Sequence, residues 1–128
     1  MQHEFESFPS PGGKIVVFQS IQSVNFPSHY LNNIDEEDTL EVDEGFVVDL
    51  TFEDFQLEKD NSTSGQCRFD FVEIFESNGK GIYAKLCGDD VKSGQKFQSE
   101  GNKMTIRFHS DRSVTEKGFK ASWKGVPK

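Results

Sequence analysis

Phe46-Val47-Val48-Asp49-Leu50-Thr51-Phe52 alternates along an extended chain. Phe46, Val48, Leu50 and Phe52 fall on one face, and Val47, Asp49 and Thr51 on the other. This is the pattern of a strand with one face in a core. The same period recurs outward from it. Phe69, Phe71, Glu73 and Phe75 alternate with Asp70, Val72 and Ile74; Met104-Thr105-Ile106-Arg107-Phe108 alternates cleanly; Phe119, Ala121 and Trp123 share a face of Gly118 to Trp123. Shorter runs at Lys14–Phe18, Thr39–Val42, Ile82–Leu86 and Gln95–Ser99 also read as strands. Asp43-Glu44-Gly45, Ser77-Asn78-Gly79-Lys80-Gly81 and Glu100-Gly101-Asn102 carry turn chemistry, and Ser23–Asn33 and Lys59–Gly65 are polar loops. No stretch carries a helical stripe. Short strands about ten residues apart, with turns between them, predict an all-β antiparallel sandwich or barrel. The Ser7-Phe8-Pro9-Ser10-Pro11-Gly12-Gly13 run predicts that residues 1–13 form a tail without regular structure.

The chain has 128 residues, enough for one domain. Its 13 Phe, 2 Tyr and 1 Trp recur from Phe5 to Trp123 and can fill a core, which excludes wholesale disorder. The Phe residues and Trp123 are assigned to that core. No apolar run approaches the roughly 18 residues of a membrane span, so membrane insertion is not expected. Lys plus Arg is 14 and Asp plus Glu is 22, a net charge of -8. Such a surface repels phosphate, which argues against nucleic acid, and suits metal ions or lysine-rich proteins.

Cys67 and Cys87 admit three readings: free thiols in a reducing compartment, a weak zinc half-site without a C-x-x-C, or a disulfide. The sequon Asn61-Ser62-Thr63 lies in a polar stretch and makes Asn61 a glycosylation candidate. Together with the even cysteine count it favours a secreted setting. No leader pattern follows Met1, which in that setting implies a mature chain or an excised fragment.

Several segments resemble one family, the CUB domain. Cys67-Arg68-Phe69-Asp70-Phe71-Val72-Glu73-Ile74 resembles its central Cys-x-x-Asp-x-Val-x-Ile strand, and Leu86-Cys87-Gly88 its later Cys-Gly. Gly101 to Ser113 is similar to the Asn-x-Met-x-Ile-x-Phe-x-Ser-Asp-x-Ser segment, and Gly118-Phe119-Lys120-Ala121 to the closing Gly-Phe-x-Ala. Phe26 to Asn33 is similar to the early tyrosine loop, and Phe55-Gln56-Leu57-Glu58 to the Phe-Asp-Leu-Glu ahead of the acidic loop. The match runs in order from residue 14 to 124, leaving 125–128 as a C-terminal tail. It implies a jelly-roll-like β-sandwich, an extracellular, secreted location and a Cys67–Cys87 bridge. Two features depart from the family. No cysteine stands near Gly12 and Gly13 or in Ile34–Glu37 for a first disulfide, and Leu31 replaces the usual proline. The missing bridge resembles the first CUB modules of complement-initiating proteases. Gly101 to Thr115 is also similar to the CUB module of link-module inflammation proteins.

The resemblance further implies a calcium site. In calcium-binding CUB domains three carboxylates hold the ion, and here they are Glu58, Asp70 and Asp111. Calcium takes about six to eight oxygens. Ser113 would add a carbonyl, with Val114 beside it, where many calcium-binding members have Asn. Tyr30 matches a tyrosine that supports the glutamate through its hydroxyl and packs beside the carboxylates. In such domains a lysine or arginine of an extracellular partner reaches the acidic ligands, so Glu58, Asp70, Asp111 and Tyr30 are the candidate partner-binding residues. A homo- or hetero-oligomer would suit such capture. The alternative is a carbohydrate- or glycosaminoglycan-binding module of the seminal-plasma type. Lys80, Lys85, Lys92 and Lys96 are dispersed, and -8 argues against it. An enzyme is not expected: Glu58 and Asp70 could be imagined as a glycosidase pair, but no cleft signal or nucleophile motif supports one. Asp43, Glu44, Asp60, Asp89 and Asp90 read as turn and surface acids, while Glu53 and Asp54 lie near the site. His3, His29 and His109 read as surface or packing residues.

Overall fold

The computed structural model describes residues 1–62, 65–76 and 81–128, with the side chains of residues 16 and 82 set aside. Nine strands follow one another: β1 Gln2–Pro9, β2 Ile15–Gln22, β3 Asp35–Glu41, β4 Phe46–Gln56, β5 Phe71–Glu76, β6 Ile82–Leu86, β7 Lys96–Gln98, β8 Lys103–His109 and β9 Gly118–Pro127. They form a five-stranded sheet, β1-β2-β9-β4-β7, and a four-stranded sheet, β3-β8-β5-β6. Every pairing is antiparallel. The expected all-β sandwich is therefore the architecture. Residues 77–80 of the expected hairpin connection lie outside the described residues.

The core lies between the sheets. Val48, Leu50 and Phe52 of β4 meet Ile106 and Phe108 of β8, Val72 and Ile74 of β5, and Phe119 and Ala121 of β9. The ring of Phe52 sits edge-on to Phe55 and Phe119, and that of Phe108 edge-on to Phe119, a favoured aromatic geometry. The register of β4 on β9 shifts between Phe52 and Asp54. This bulge changes the side-chain phase. Val48, Leu50 and Phe52 face the core before the bulge, and Phe55 and Leu57 are the core residues beyond it. Glu58 thereby falls off the core side, at the end of the sandwich.

Three expectations change. Residues 2–9 are not an unstructured tail but strand β1, because Pro11-Gly12-Gly13 makes a hairpin. Ser10 N donates to Lys14 O at 2.7 Å, and all eight residues of β1 pair with β2. The proline-glycine run turns the chain back on itself rather than ending the order. At the other terminus β9 runs to Pro127, which pairs with Phe46, so the expected C-terminal tail is mostly strand. Not every phenylalanine is core: Phe5, Phe8, Phe18 and Phe46 are exposed. Trp123, as expected, packs against the core.

Cys67 and Cys87, 20 positions apart in sequence, are joined by a disulfide with Cα atoms 5.6 Å apart. Closing such a loop contributes about 3 kcal/mol through the unfolded chain. Next to it, Leu57 N donates to Gly88 O at 3.0 Å and Gly88 N to Glu58 O at 3.3 Å. The end of β4 is thereby tied to the bridged segment.

Gly118 opens β9 at φ +92°, and a Cβ there would collide with the Ser23 hydroxyl and crowd Tyr30. That hydroxyl accepts from Phe119 N at 3.1 Å. Gly118→Ala is expected to lower unfolding stability by about 2 kcal/mol or more, from positive-φ strain plus displacement of Ser23. Urea denaturation followed by Trp123 fluorescence measures it.

Candidate metal centre

Three segments deliver a carboxylate each to one end of the sandwich. Glu58 follows β4 once the bulge has set its phase. Asp70 stands one residue before β5, on the side of Val72 and Ile74, and is 1% exposed. Asp111 lies two residues beyond β8, whose Met104, Ile106 and Phe108 are buried, as is Ser110 just after it. Ser110 fixes the exit: its hydroxyl donates to Leu31 O at 2.7 Å and accepts from Ile34 N at 2.9 Å. Asn33 N donates to Asp111 O at 2.8 Å. The ligand oxygens of Glu58, Asp70 and Asp111 lie within 4.8 Å of one another.

Tyr30 and Asp70 organise the centre. The Tyr30 hydroxyl donates to Asp70 Oδ2 at 2.6 Å and accepts from Glu58 N at 3.2 Å. Asp111 N donates to Asp70 Oδ1 at 2.8 Å, and Ser113 N donates to Asp111 Oδ1 at 3.2 Å. Tyr30 thus supports the glutamate through its backbone, while its hydroxyl bond to a carboxylate goes to Asp70. Its ring is 2% exposed and edge-on to Phe108 at 5.1 Å. It supports the carboxylates from beneath, not from a rim position beside a partner.

The electrostatics are those of crowded anions. Glu58 is pushed from its ordinary 4.5 up to about 7, first by burial, then by the charges of Asp111, Asp70, Glu116 and Asp60. Asp70 is also raised, mainly by burial and further by the Asp111 side chain, although the hydrogen bonds from the Tyr30 hydroxyl and the Asp111 amide oppose this. Tyr30 is raised well above the usual phenol range by burial and its bond to Asp70. Glu58 Oε1 is buried with no hydrogen-bond partner. A buried carboxylate oxygen beside two further carboxylates suits a hard cation, and the triad could hold a metal ion.

Ser113 and Val114 lie in the exposed loop after Asp111. Val114 has φ 63° and is 55% exposed, a left-handed conformation unfavourable for a β-branched residue. Asp60, read as a surface acid, is instead structural. Its side chain is 1% exposed and takes both Arg68 Nε at 3.0 Å and Arg68 Nη2 at 3.1 Å. These bonds hold its carboxyl well below the usual range. Glu116 was not singled out from the sequence; it adds to the field on Glu58, and its carbonyl accepts from Tyr30 N at 3.1 Å. No motif marks it, because its position comes from the loop that returns to β9. Asp54 is neutralised by Lys117 at 2.9 Å, and Glu53 lies 3.9 Å from Lys120. His29 meets Thr115 Oγ1 at 3.1 Å, and His109 stacks on Phe71 at 4.9 Å between centroids. Asn61 is exposed beyond Asp60; Thr63 of its sequon lies outside the described residues. A second cluster, Cys67, Cys87 and Asp90, has its sulfurs committed to the disulfide.

The CUB domain model matches residues 15–123, and the chain belongs to the CUB family. The protein SpAN of Strongylocentrotus purpuratus is 35% identical over 118 residues, covering 91% of this chain and 18% of SpAN. The full extracellular region of zebrafish Gpr126/Adgrg6 superposes with a TM-score of 0.75 at 35% identity, covering 85% of this chain and 14% of that one. The crystal structure of the MASP-1 CUB2 domain bound to Ca2+ superposes with a TM-score of 0.70 at 28% identity, covering 82% of this chain and 89% of that domain. The chain spans less than a fifth of the length of SpAN. The CUB domain is a non-catalytic interaction module. No helix among the described residues is long and apolar enough to cross a membrane.

Two measurements follow from this geometry. A carboxyl raised by folding contributes stability that is fully present below its unfolded pKa and is lost as pH rises through its folded one. The metal-free protein is therefore expected to lose melting temperature between about pH 4.5 and about pH 7. Glu58→Gln should flatten that decline in calorimetric scans with chelator. Val114→Asn should add about 1 kcal/mol to unfolding stability, because Asn tolerates the left-handed region.

Proposed function

We propose that this domain is an extracellular, calcium-dependent protein-interaction module. Glu58, Asp70 and Asp111 hold one Ca2+, and the less buried Glu58 and Asp111 present outward oxygens, fixed through Asp70, to a lysine or arginine of a protein partner. The buried, unpartnered Oε1 of Glu58 within a three-carboxylate cluster carries the reading. The Ca2+-bound MASP-1 CUB2 domain, similar in fold, supports it. The Cys67–Cys87 disulfide supports an oxidising, extracellular setting.

Calcium supplies positive charge that relieves the repulsion among the three acids. The chain's own residues do the rest. Tyr30 and the Asp111 amide fix the Asp70 carboxylate, and Asp111 holds its loop through Ser113 N. Ser113, with Val114 as its neighbour, would add a backbone carbonyl. A partner cation then meets fixed carboxylates and forms charge-assisted hydrogen bonds. Asn61 is proposed as a glycosylation site, on the loop that carries Asp60.

Binding of the ion to the folded state alone stabilises by about 2.7 kcal/mol at 100-fold over its dissociation constant. Melting temperature is expected to rise in millimolar calcium and fall in chelator, and Asp111→Ala should abolish the difference. An unchanged melting curve would overturn the site. Retention of a basic partner protein on the immobilised domain should be lost in chelator, in Asp111→Ala and after methylation of the partner's lysines. Retention that survives all three would place recognition on another surface.

A further inference from the structure

Among the described residues ten large apolar side chains are exposed, and five lie on the β1–β2 ribbon: Phe5, Phe8, Ile15, Val17 and Phe18. Phe5 is 65% exposed and Ile15 is 70% exposed. The ribbon projects because β2 pairs with β9 only from Gln19 to Gln22, while β1 and β2 stay paired back to Pro9 and Ile15. β1 is the last strand of its sheet, so its outer backbone edge carries no strand partner. Every one of its eight residues is exposed.

The side chains of β1 indicate what would complete that edge. Glu4 and Glu6 stand opposite Ser20 and Phe18 and share a face. Neither makes an ion pair among the described residues. Lys120 lines the same groove of about 270 Å³, but it is 3.9 Å from Glu53, a third carboxylate there. Phe5 points to the opposite face between them. An incoming strand places successive side chains on alternate faces. Cations two residues apart would therefore meet Glu4 and Glu6, and an apolar residue between them would lie beside Phe5. A second copy of this chain fits badly: an antiparallel register that sets Phe5 against Phe5 also sets Glu4 against Glu6, and like charges directly opposite destabilise a sheet.

We propose that β1 is a strand-addition edge that takes an extended segment of a protein partner in which lysine or arginine alternates with apolar residues. Backbone bonds to the outer edge of β1 supply generic affinity, and the Glu4–Phe5–Glu6 alternation sets register and sequence preference. This surface is separate from the acidic centre. The edge belongs to the five-stranded sheet, whereas Asp70 and Asp111 stand next to β5 and β8 of the other sheet.

The test titrates the whole isotopically labelled chain, in chelator, with a synthetic peptide of alternating lysine and valine. Amide shifts and slowed hydrogen exchange are expected on β1, and the double variant Glu4→Lys/Glu6→Lys should weaken binding about fivefold or more. A peptide of the same charge, N-methylated at every backbone amide, should not bind, because methylation removes the donors of both edges. Three results would overturn the proposal: equal binding of the N-methylated peptide, equal binding by the double variant, or shifts centred on the Asp111 loop. A chain that sediments as a dimer through β1 without peptide would also overturn it.

Discussion

Asp70 is the point on which the loop end of this sandwich turns. Its carboxylate is buried at the mouth of the core and takes one hydrogen bond on each oxygen: the Tyr30 hydroxyl on Oδ2 and the Asp111 amide on Oδ1. Those two bonds join the loop after β2, the entry to β5 and the exit of β8. Tyr30 extends the network to Glu58 through its backbone amide. A charge held that deep is costly unless its oxygens are satisfied. Both are, so the three acids hold their separation while repelling one another.

The rest of the fold serves that arrangement. The β4 bulge changes phase before Glu58, the buried alternation of β8 continues past its end to Ser110 just before Asp111, and the disulfide and Gly88 tie down the chain beside Glu58. Asp60 and Arg68 brace the next loop with a paired fork, stronger than a single-point ion pair. The four-stranded sheet has its own polar brace, in which Arg107 bridges Asp35 at 2.9 Å and the buried Glu73 at 3.1 Å. Glu73 therefore sits in a buried position of β5 without isolation, and Phe71 on the same face is covered by His109 and by Lys85, 4.2 Å above its ring.

The two ends of the molecule have different surface chemistry. The loop end concentrates carboxylates at fixed spacing. The β1–β2 ribbon exposes aromatic and aliphatic side chains along an open strand edge. Soluble domains seldom leave such edges bare without a charge or a proline upon them, and β1 has both, in Glu4, Glu6 and Pro9. Those charges set identical copies apart and leave room for a basic strand.

The alternation of Phe46–Phe52, Phe69–Phe75 and Met104–Phe108 determined by itself that the chain is all-β with half-buried strands, while the choice of a two-sheet sandwich over a closed barrel lies in the strand pairing. The motifs around Glu58, Asp70 and Asp111 marked the acids that meet, since each sits at a strand end where local sequence fixes the backbone. The sequence did not disclose β1, whose order comes from pairing with β2 and not from an apolar face of its own. Nor did it disclose the structural role of Asp60, the contribution of Glu116, or the reach of Tyr30 to Asp70. Each of these depends on side chains from segments distant in sequence. Strand period is local, so the sequence carries it; charge balance at a site sums over everything the fold brings near, so only the tertiary structure decides it.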